Sequence, residues 1–142
     1  VEHRLEFVGD FNGRKIYNDS KATDIEATQS ALDSFPDDDI FWIAGGLDRG
    51  DDFSKLIPNL KKVSKAVFIG ETKNKLLDVA LKININDVQI ADNLGEAVNI
   101  ASKNSKTNQI ILFSPAAASW DQYPNFEIRG EEFKKMVNGV NW

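Results

Sequence analysis

The sequence predicts an α/β fold: a Rossmann-like three-layer domain whose mainly parallel sheet of about six strands carries an N-terminal antiparallel hairpin at one edge. Three observations point there. Four apolar runs, "IFWIAGG" from Ile40, "AVFIGE" from Ala66, "VQIA" from Val88 and "IILFSPA" from Ile110, are too short for helices and too continuous for half-exposed strands. Segments of helical period lie between them. An Asn-Gly pair at 12–13 divides two further β-rich runs near the start.

In chain order, "LEFVGDF" and "RKIYND" flank Asn12-Gly13, the dipeptide that most readily supplies positive φ at both central positions of a tight turn, so they pair as a hairpin. Ile25, Thr28, Leu32 and Phe35 then share one helical face, and Pro36 stops the helix. Thr23 and Glu26 fit the S/T-x-x-E capping box at its start. Between Phe53 and Val63 the helical pattern is weaker, because Pro58 lacks an N–H and cannot sit deep inside a helix. Leu76, Leu77, Ala80 and Leu81 mark another helix. Leu94, Ala97, Val98 and Ala101 repeat behind Asn93 with Glu96 three residues on, and Phe126, Phe133 and Val137 suggest a last helix. Strands alternating with helices imply right-handed crossovers, a sheet covered on both faces, and ligands gathered at the carboxyl ends of the strands.

Composition bounds what such a fold could do. The 142 residues suit a single domain spanning 1–142, and a domain of this size hides roughly 68–70% of the surface its unfolded chain would expose. A net charge of −5 speaks against general attachment to nucleic acid or to an anionic membrane, because counterion release needs a cationic surface. Without cysteine there is no disulfide, no thiolate nucleophile and no cysteine-based zinc site, and the lone His3 cannot build an imidazole cluster; no metal site is expected. "VEHRLEF" lacks the layout of a signal peptide, and no apolar run reaches the ~20 residues that cross a bilayer, so a cytoplasmic location is expected.

Three polar segments follow predicted strand ends and by topology share one rim. In "NDSKATDIE" the residues around Thr23 cap the helix, or Lys21 and the helix N–H groups hold a phosphate or carboxylate. Asp19 would repel such an anion. It suits accepting from hydroxyls, such as those of a ribose, or pairing with an arginine. In "AGGLDRGDDF" the glycines allow a close backbone approach and Arg49 offers a planar fork for a carboxylate; a glycine-rich turn with a surface Arg–Asp pair is the plainer reading. In "SPAAASWDQYPNFEIRG" small residues lead to Ser119 and then to Trp120, Tyr123 and Phe126, which serve either packing or a ligand. No G-x-S-x-G elbow, G-x-G-x-x-G or G-x-x-x-x-G-K-[ST] loop occurs, so neither an activated serine nor a dinucleotide or triphosphate loop is signalled.

Taken together, "HRLE" at 3–6, "DSKAT" at 19–23, "GGLDRGDDF" at 45–53 and "SPAAASWDQYPNFEIRG" at 114–130 resemble the C-terminal domain of the D-glutamate-adding branch of the Mur ligase family, over nearly the whole chain. "DSKAT" is the most specific part. The resemblance implies a three-domain, ADP-forming ligase of peptidoglycan synthesis, with its UDP-binding N-terminal domain and P-loop ATPase domain absent from these residues. ATP and Mg2+, held mainly by the absent central domain, would convert the carboxylate of UDP-N-acetylmuramoyl-L-alanine to an acyl phosphate, which the amine of D-glutamate attacks. No cofactor would bind tightly to this domain, and the domain alone would be inactive. By the same resemblance Arg4 would reach the ATP phosphates and Asp19 the ribose. Lys21 would sit at the catalytic centre and touch substrate with Thr23, Arg49, Ser119 and Phe126. Hydroxyls and a fixed cation can clamp two carboxylates and leave the amine free.

Three positions depart from the family pattern: Arg49 stands where lysine is usual, Asp24 where asparagine is common in what reads as the first helical turn, and Ala117 where cysteine is frequent. Two other readings stay open. One is a non-catalytic α/β binding module such as a receiver domain, although "DDD" at 37–39 precedes a strand where a receiver needs acids after one. The other is a related Mur or folylpolyglutamate-type ligase domain with a different acceptor amino acid.

Overall fold

The computed structural model describes residues 1–85 and 87–142. The hairpin forms at the Asn-Gly pair. Strands β1 (Glu6–Phe11) and β2 (Arg14–Asn18) pair antiparallel, and Asn12 and Gly13 take φ of 53° and 86°, as a type I′ turn requires. The Asp10 carboxylate accepts the Gly13 N–H at 2.9 Å and holds the turn.

The chain continues through α1 (Ile25–Asp33), β3 (Ile40–Gly45), a 3-10 helix (Phe53–Asn59), β4 (Val63–Ile69), α2 (Lys73–Lys82), β5 (Asp87–Ile90), α3 (Leu94–Asn104), β6 (Ile110–Phe113) and α4 (Phe126–Gly139). The six strands form one sheet in the order β1-β2-β6-β3-β4-β5, with every pair parallel except β1–β2. The hairpin therefore extends one edge, as expected.

β3 shows why its run is continuously apolar. Trp42 and Ala44 join the core beneath α1, the 3-10 helix and α2, while Phe41 and Ile43 join the core beneath α3 and α4. Alternate side chains meet different helical layers, so both phases of the strand must be hydrophobic. Trp42 buries its one polar atom at no loss, since Nε1–H donates to Ser114 O at 2.9 Å. None of the helices among the described residues is long and apolar enough to cross a membrane.

Two local readings change. The cap of α1 is Asp24, not Thr23: its backbone is extended and its carboxylate accepts the Ala27 N–H at 2.9 Å. Thr23 is still held in a tight turn, its N–H donating to Lys21 O at 2.9 Å. The first residue with an extended backbone before the helix is thus one later than the S/T-x-x-E pattern places it, and Asp24 lies at the cap instead of in the first turn. Around Pro58 the chain forms a 3-10 helix capped by Asp52, with the proline next to last.

Candidate functional site

The last strand made, β6, inserts between β2 and β3, so the loops leaving the carboxyl ends of these three strands are neighbours at a switch in strand order. Their backbones are joined directly: Asp19 N–H donates to Phe113 O at 2.8 Å, Gly45 N–H to Pro115 O at 2.9 Å and Leu47 N–H to Ala118 O at 2.9 Å. Asp37, Asp38 and Asp39 precede β3 and lie off the opposite end of the sheet, so this acidic run takes no part in the rim.

Arg49 links the three polar segments. Its Nη2 donates to Thr23 O at 2.7 Å, two residues from Lys21, and its guanidinium carbon lies 6.0 Å from the centroid of the Trp120 ring, next to Ser119. The surface Arg–Asp pair does not form. Asp48 instead binds Lys75 at 2.9 Å, and the Gly50 N–H it accepts, followed by that Lys75 bond, holds its carboxyl below the usual range. Ser119 is buried, its carbonyl accepting from the N–H groups of Gln122 and Tyr123 at 3.0 and 2.8 Å. Lys21 is exposed. Because Asp24 already caps α1, the helix N-terminus offers an anion less than expected, and the charges of Lys21 and Arg49, which form no salt bridge among the described residues, remain to attract one.

Arg4, Asp19 and Lys21 line a neighbouring cavity of about 480 Å³ with Leu5 and Asp24. Asp19 is 4% exposed and already engaged: Oδ1 accepts from Leu5 N–H at 3.0 Å and Oδ2 from Ser114 Oγ at 2.7 Å. Burial raises its pKa against the pull of Ser114, Leu5 and the charge of Arg4. It pairs with no arginine side chain directly, and each oxygen keeps one lone pair for a further donor.

Beneath the rim lies Arg129 on α4, a residue the sequence reading passed over. It is 1% exposed, and it donates from Nε to Ser20 Oγ at 3.0 Å, from Nη2 to Ser20 O at 2.7 Å and from Nη1 to Ala117 O at 3.0 Å. It thereby ties the loop carrying Lys21 to the loop carrying Ser119. Ser20 Oγ in turn donates to Phe126 O at 2.7 Å, while the Phe126 ring meets His3 edge-on at 6.2 Å and does not join the Arg49–Trp120 pair. Burial lowers the pKa of Arg129 to about 10, with Asp121 and Tyr123 opposing. The signal for it was present: in a helix whose buried stripe is Arg129, Gly130, Phe133 and Val137, a charge falls on the apolar phase.

His3 is buried, with Nδ1 2.9 Å from Asn18 Nδ2. That amide is oriented by Oδ1 accepting from Ser20 N–H and Nδ2 donating to Glu6, so Nδ1 accepts and the proton sits on Nε2. Nε2 lies 3.1 Å from Glu2 and 3.5 Å from Glu131. These three residues bring ligand atoms within 4.8 Å of one another. A metal would need a bare Nε2 and would face the Lys134 ammonium, 3.2 Å from the same Glu131 oxygen, so the group fits an ion poorly; Nε2 itself makes no hydrogen bond among the described residues.

Known proteins resemble this chain in sequence and in fold. The family model "Mur ligase, glutamate ligase domain" matches residues 3–117. The UDP-N-acetylmuramoylalanine–D-glutamate ligase of Oenococcus oeni is 58% identical over 100% of the chain and 32% of its own length, and that of Enterococcus hirae is 54% identical over 97% and 30%. The chain thus spans about a third of the length of these curated relatives. Among solved structures, a murein peptide ligase from Psychrobacter arcticus superposes with a TM-score of 0.66 at 14% identity, covering 99% of the chain and 31% of that protein, a likeness of fold.

Proposed function

The chain belongs to the Mur ligase family through its glutamate ligase domain, and we propose that it is the C-terminal, amino-acid-accepting domain of a cytoplasmic three-domain ligase that adds D-glutamate to UDP-N-acetylmuramoyl-L-alanine in peptidoglycan synthesis. The observation that carries this reading is Arg49, docked on Thr23 O and beside Trp120, because it draws the lysine, arginine and serine segments onto one small rim. A diacid needs such a rim: two separated cations with hydroxyls between them, and space for its amine.

In this reading ATP and Mg2+, bound mainly outside these residues, supply the activated acyl phosphate that the D-glutamate amine attacks. The residues here receive the acceptor. Arg49 takes one carboxylate, Thr23 and the Ser119 hydroxyl orient the other end with the Phe126 region, and the exposed ammonium of Lys21 faces the reacting centre. Arg4 and Asp19 meet the nucleotide across the cleft, Asp19 through the lone pairs its internal hydrogen bonds leave free. Closure against the ATPase domain completes the site, so the domain alone does not turn over.

The test is a titration of this chain with D-glutamate, L-glutamate and D-aspartate, followed through backbone amide shifts. Saturable shifts at residues 21–24, 48–50 and 119–121 with D-glutamate, weakened by Arg49→Ala and by Ser119→Ala, are expected. Shifts at the opposite end of the sheet, or an equal response to L-glutamate, would move the pocket or the acceptor elsewhere. Adding ATP and the muramoyl-alanine nucleotide should release no phosphate from this chain; phosphate release would overturn the assignment of catalysis to the complete enzyme.

A further inference from the structure

Trp120 is 63% exposed although it directly follows the buried Ser119. A single exposed apolar side chain is ordinary at a protein surface, so the exposure by itself assigns no role. Its ring, however, faces the guanidinium of Arg49 at 6.0 Å, within the range of a cation–π contact. On its other side Arg49 is fixed by the 2.7 Å hydrogen bond from Nη2 to Thr23 O. An exposed arginine otherwise samples many rotamers, and ordering it on binding is a direct loss of affinity.

We propose that Trp120 is a positioning residue for the acceptor site: the indole face and the Thr23 carbonyl grip the Arg49 guanidinium before substrate arrives, leaving Nε and Nη1 unengaged, so that one of them and the second hydrogen of Nη2 form an edge that meets one carboxylate of a small diacid. Among the described residues Nε and Nη1 carry no hydrogen bond within the chain. Pre-setting the fork fixes where one carboxylate must lie, and so makes the distance to the second cation a ruler for diacid length. This inference rests on the D-glutamate reading above.

The experiment titrates D-glutamate into this chain and into Trp120→Leu, Trp120→Phe, Arg49→Ala and the Trp120→Leu/Arg49→Ala double variant. Losing the contact should raise Kd about two- to fivefold in Trp120→Leu, with most of the affinity restored in Trp120→Phe, which keeps a π face. In the Arg49→Ala background the leucine substitution should change nothing further. Without ligand, the Arg49 Nε–H resonance should carry a ring-current shift that Trp120→Leu abolishes while backbone amide dispersion elsewhere is unchanged; a general loss of folding would collapse both. If the parent chain binds and Trp120→Leu binds equally well, or weakens binding just as much without Arg49, the positioning role is refuted while the D-glutamate reading stands. No saturable binding by the parent removes both.

Discussion

Replacing Arg129 with methionine exchanges a guanidinium that is 1% exposed for an apolar chain of comparable reach. In the parent its three hydrogen bonds end on Ser20 Oγ, Ser20 O and Ala117 O. In the variant the two buried carbonyls lose their donor, at about 1–3 kcal/mol each, or ~2–6 kcal/mol together. Opposing this is the burial of charge. The fall in pKa from the ordinary guanidinium value to about 10 corresponds to roughly 3 kcal/mol of penalty that the variant no longer carries. The balance runs from about −1 to +3 kcal/mol and centres on a net destabilisation of ~1 kcal/mol. Urea unfolding at neutral pH measures it as a lower midpoint with an unchanged slope. Below its folded-state value near 10 the guanidinium is charged in the folded and unfolded chains alike, so the difference should have no pH dependence around neutrality. Arg129→Lys should fall below Arg129→Met, because an ammonium keeps the burial penalty and cannot span all three acceptors. A methionine variant more stable than the parent by over ~1 kcal/mol would show that desolvation outweighs the clamp and would refute the reasoning.

Three further outcomes follow from single contacts. Asp24→Ala removes the cap that accepts Ala27 N–H and should cost about 1 kcal/mol in a thermal or urea melt, whereas Thr23→Ala should leave α1 capped. Gly45 has φ of 116°, and a Cβ there would overlap Ile69 O; Gly45→Ala should destabilise by about 1–3 kcal/mol or more, and a neutral result would mean β3 and β4 can separate freely. Asp19 has its folded-state pKa raised by burial above 3.8, so the folded chain holds the proton longer than the unfolded one. Its contribution to stability is therefore fully present below 3.8, is lost as pH rises through the raised value, and is flat above it. Compared with Asp19→Asn, the parent should gain stability on acidification from neutral pH toward 3.8; a relative loss would mean that Ser114, Leu5 and Arg4 outweigh desolvation.

Much of this architecture is written in local pattern. The Asn12-Gly13 turn, the buried strands β3, β4 and β6 and the helical stripes of α1, α2 and α3 each follow from the conformational limits of a few residues and from apolar periodicity, which act over one turn or one strand; the run "VQIA", expected to be buried, instead forms the edge strand β5, with Asp87, Gln89 and Ile90 exposed because no further strand among the described residues pairs beyond it. The family could likewise be read from four short motifs. The loop chemistry was less legible. Whether Thr23 or Asp24 caps α1 depends on how tightly the preceding turn closes, and whether Arg49 pairs with an adjacent aspartate depends on Lys75, 27 positions away from Asp48, being there to take it.

What the amino-acid order determined by itself is the α/β class, the strand and helix succession, and the set of polar segments that leave the strand ends, because these depend on backbone propensity and on burial of one face. The tertiary structure alone decided that β6 slides between β2 and β3, that Arg129 binds two loops from below, and that Arg49 turns to Thr23 and Trp120. Those outcomes depend on strand order and on competition among buried donors and acceptors far apart in the chain, and pairing of that kind leaves no periodic trace.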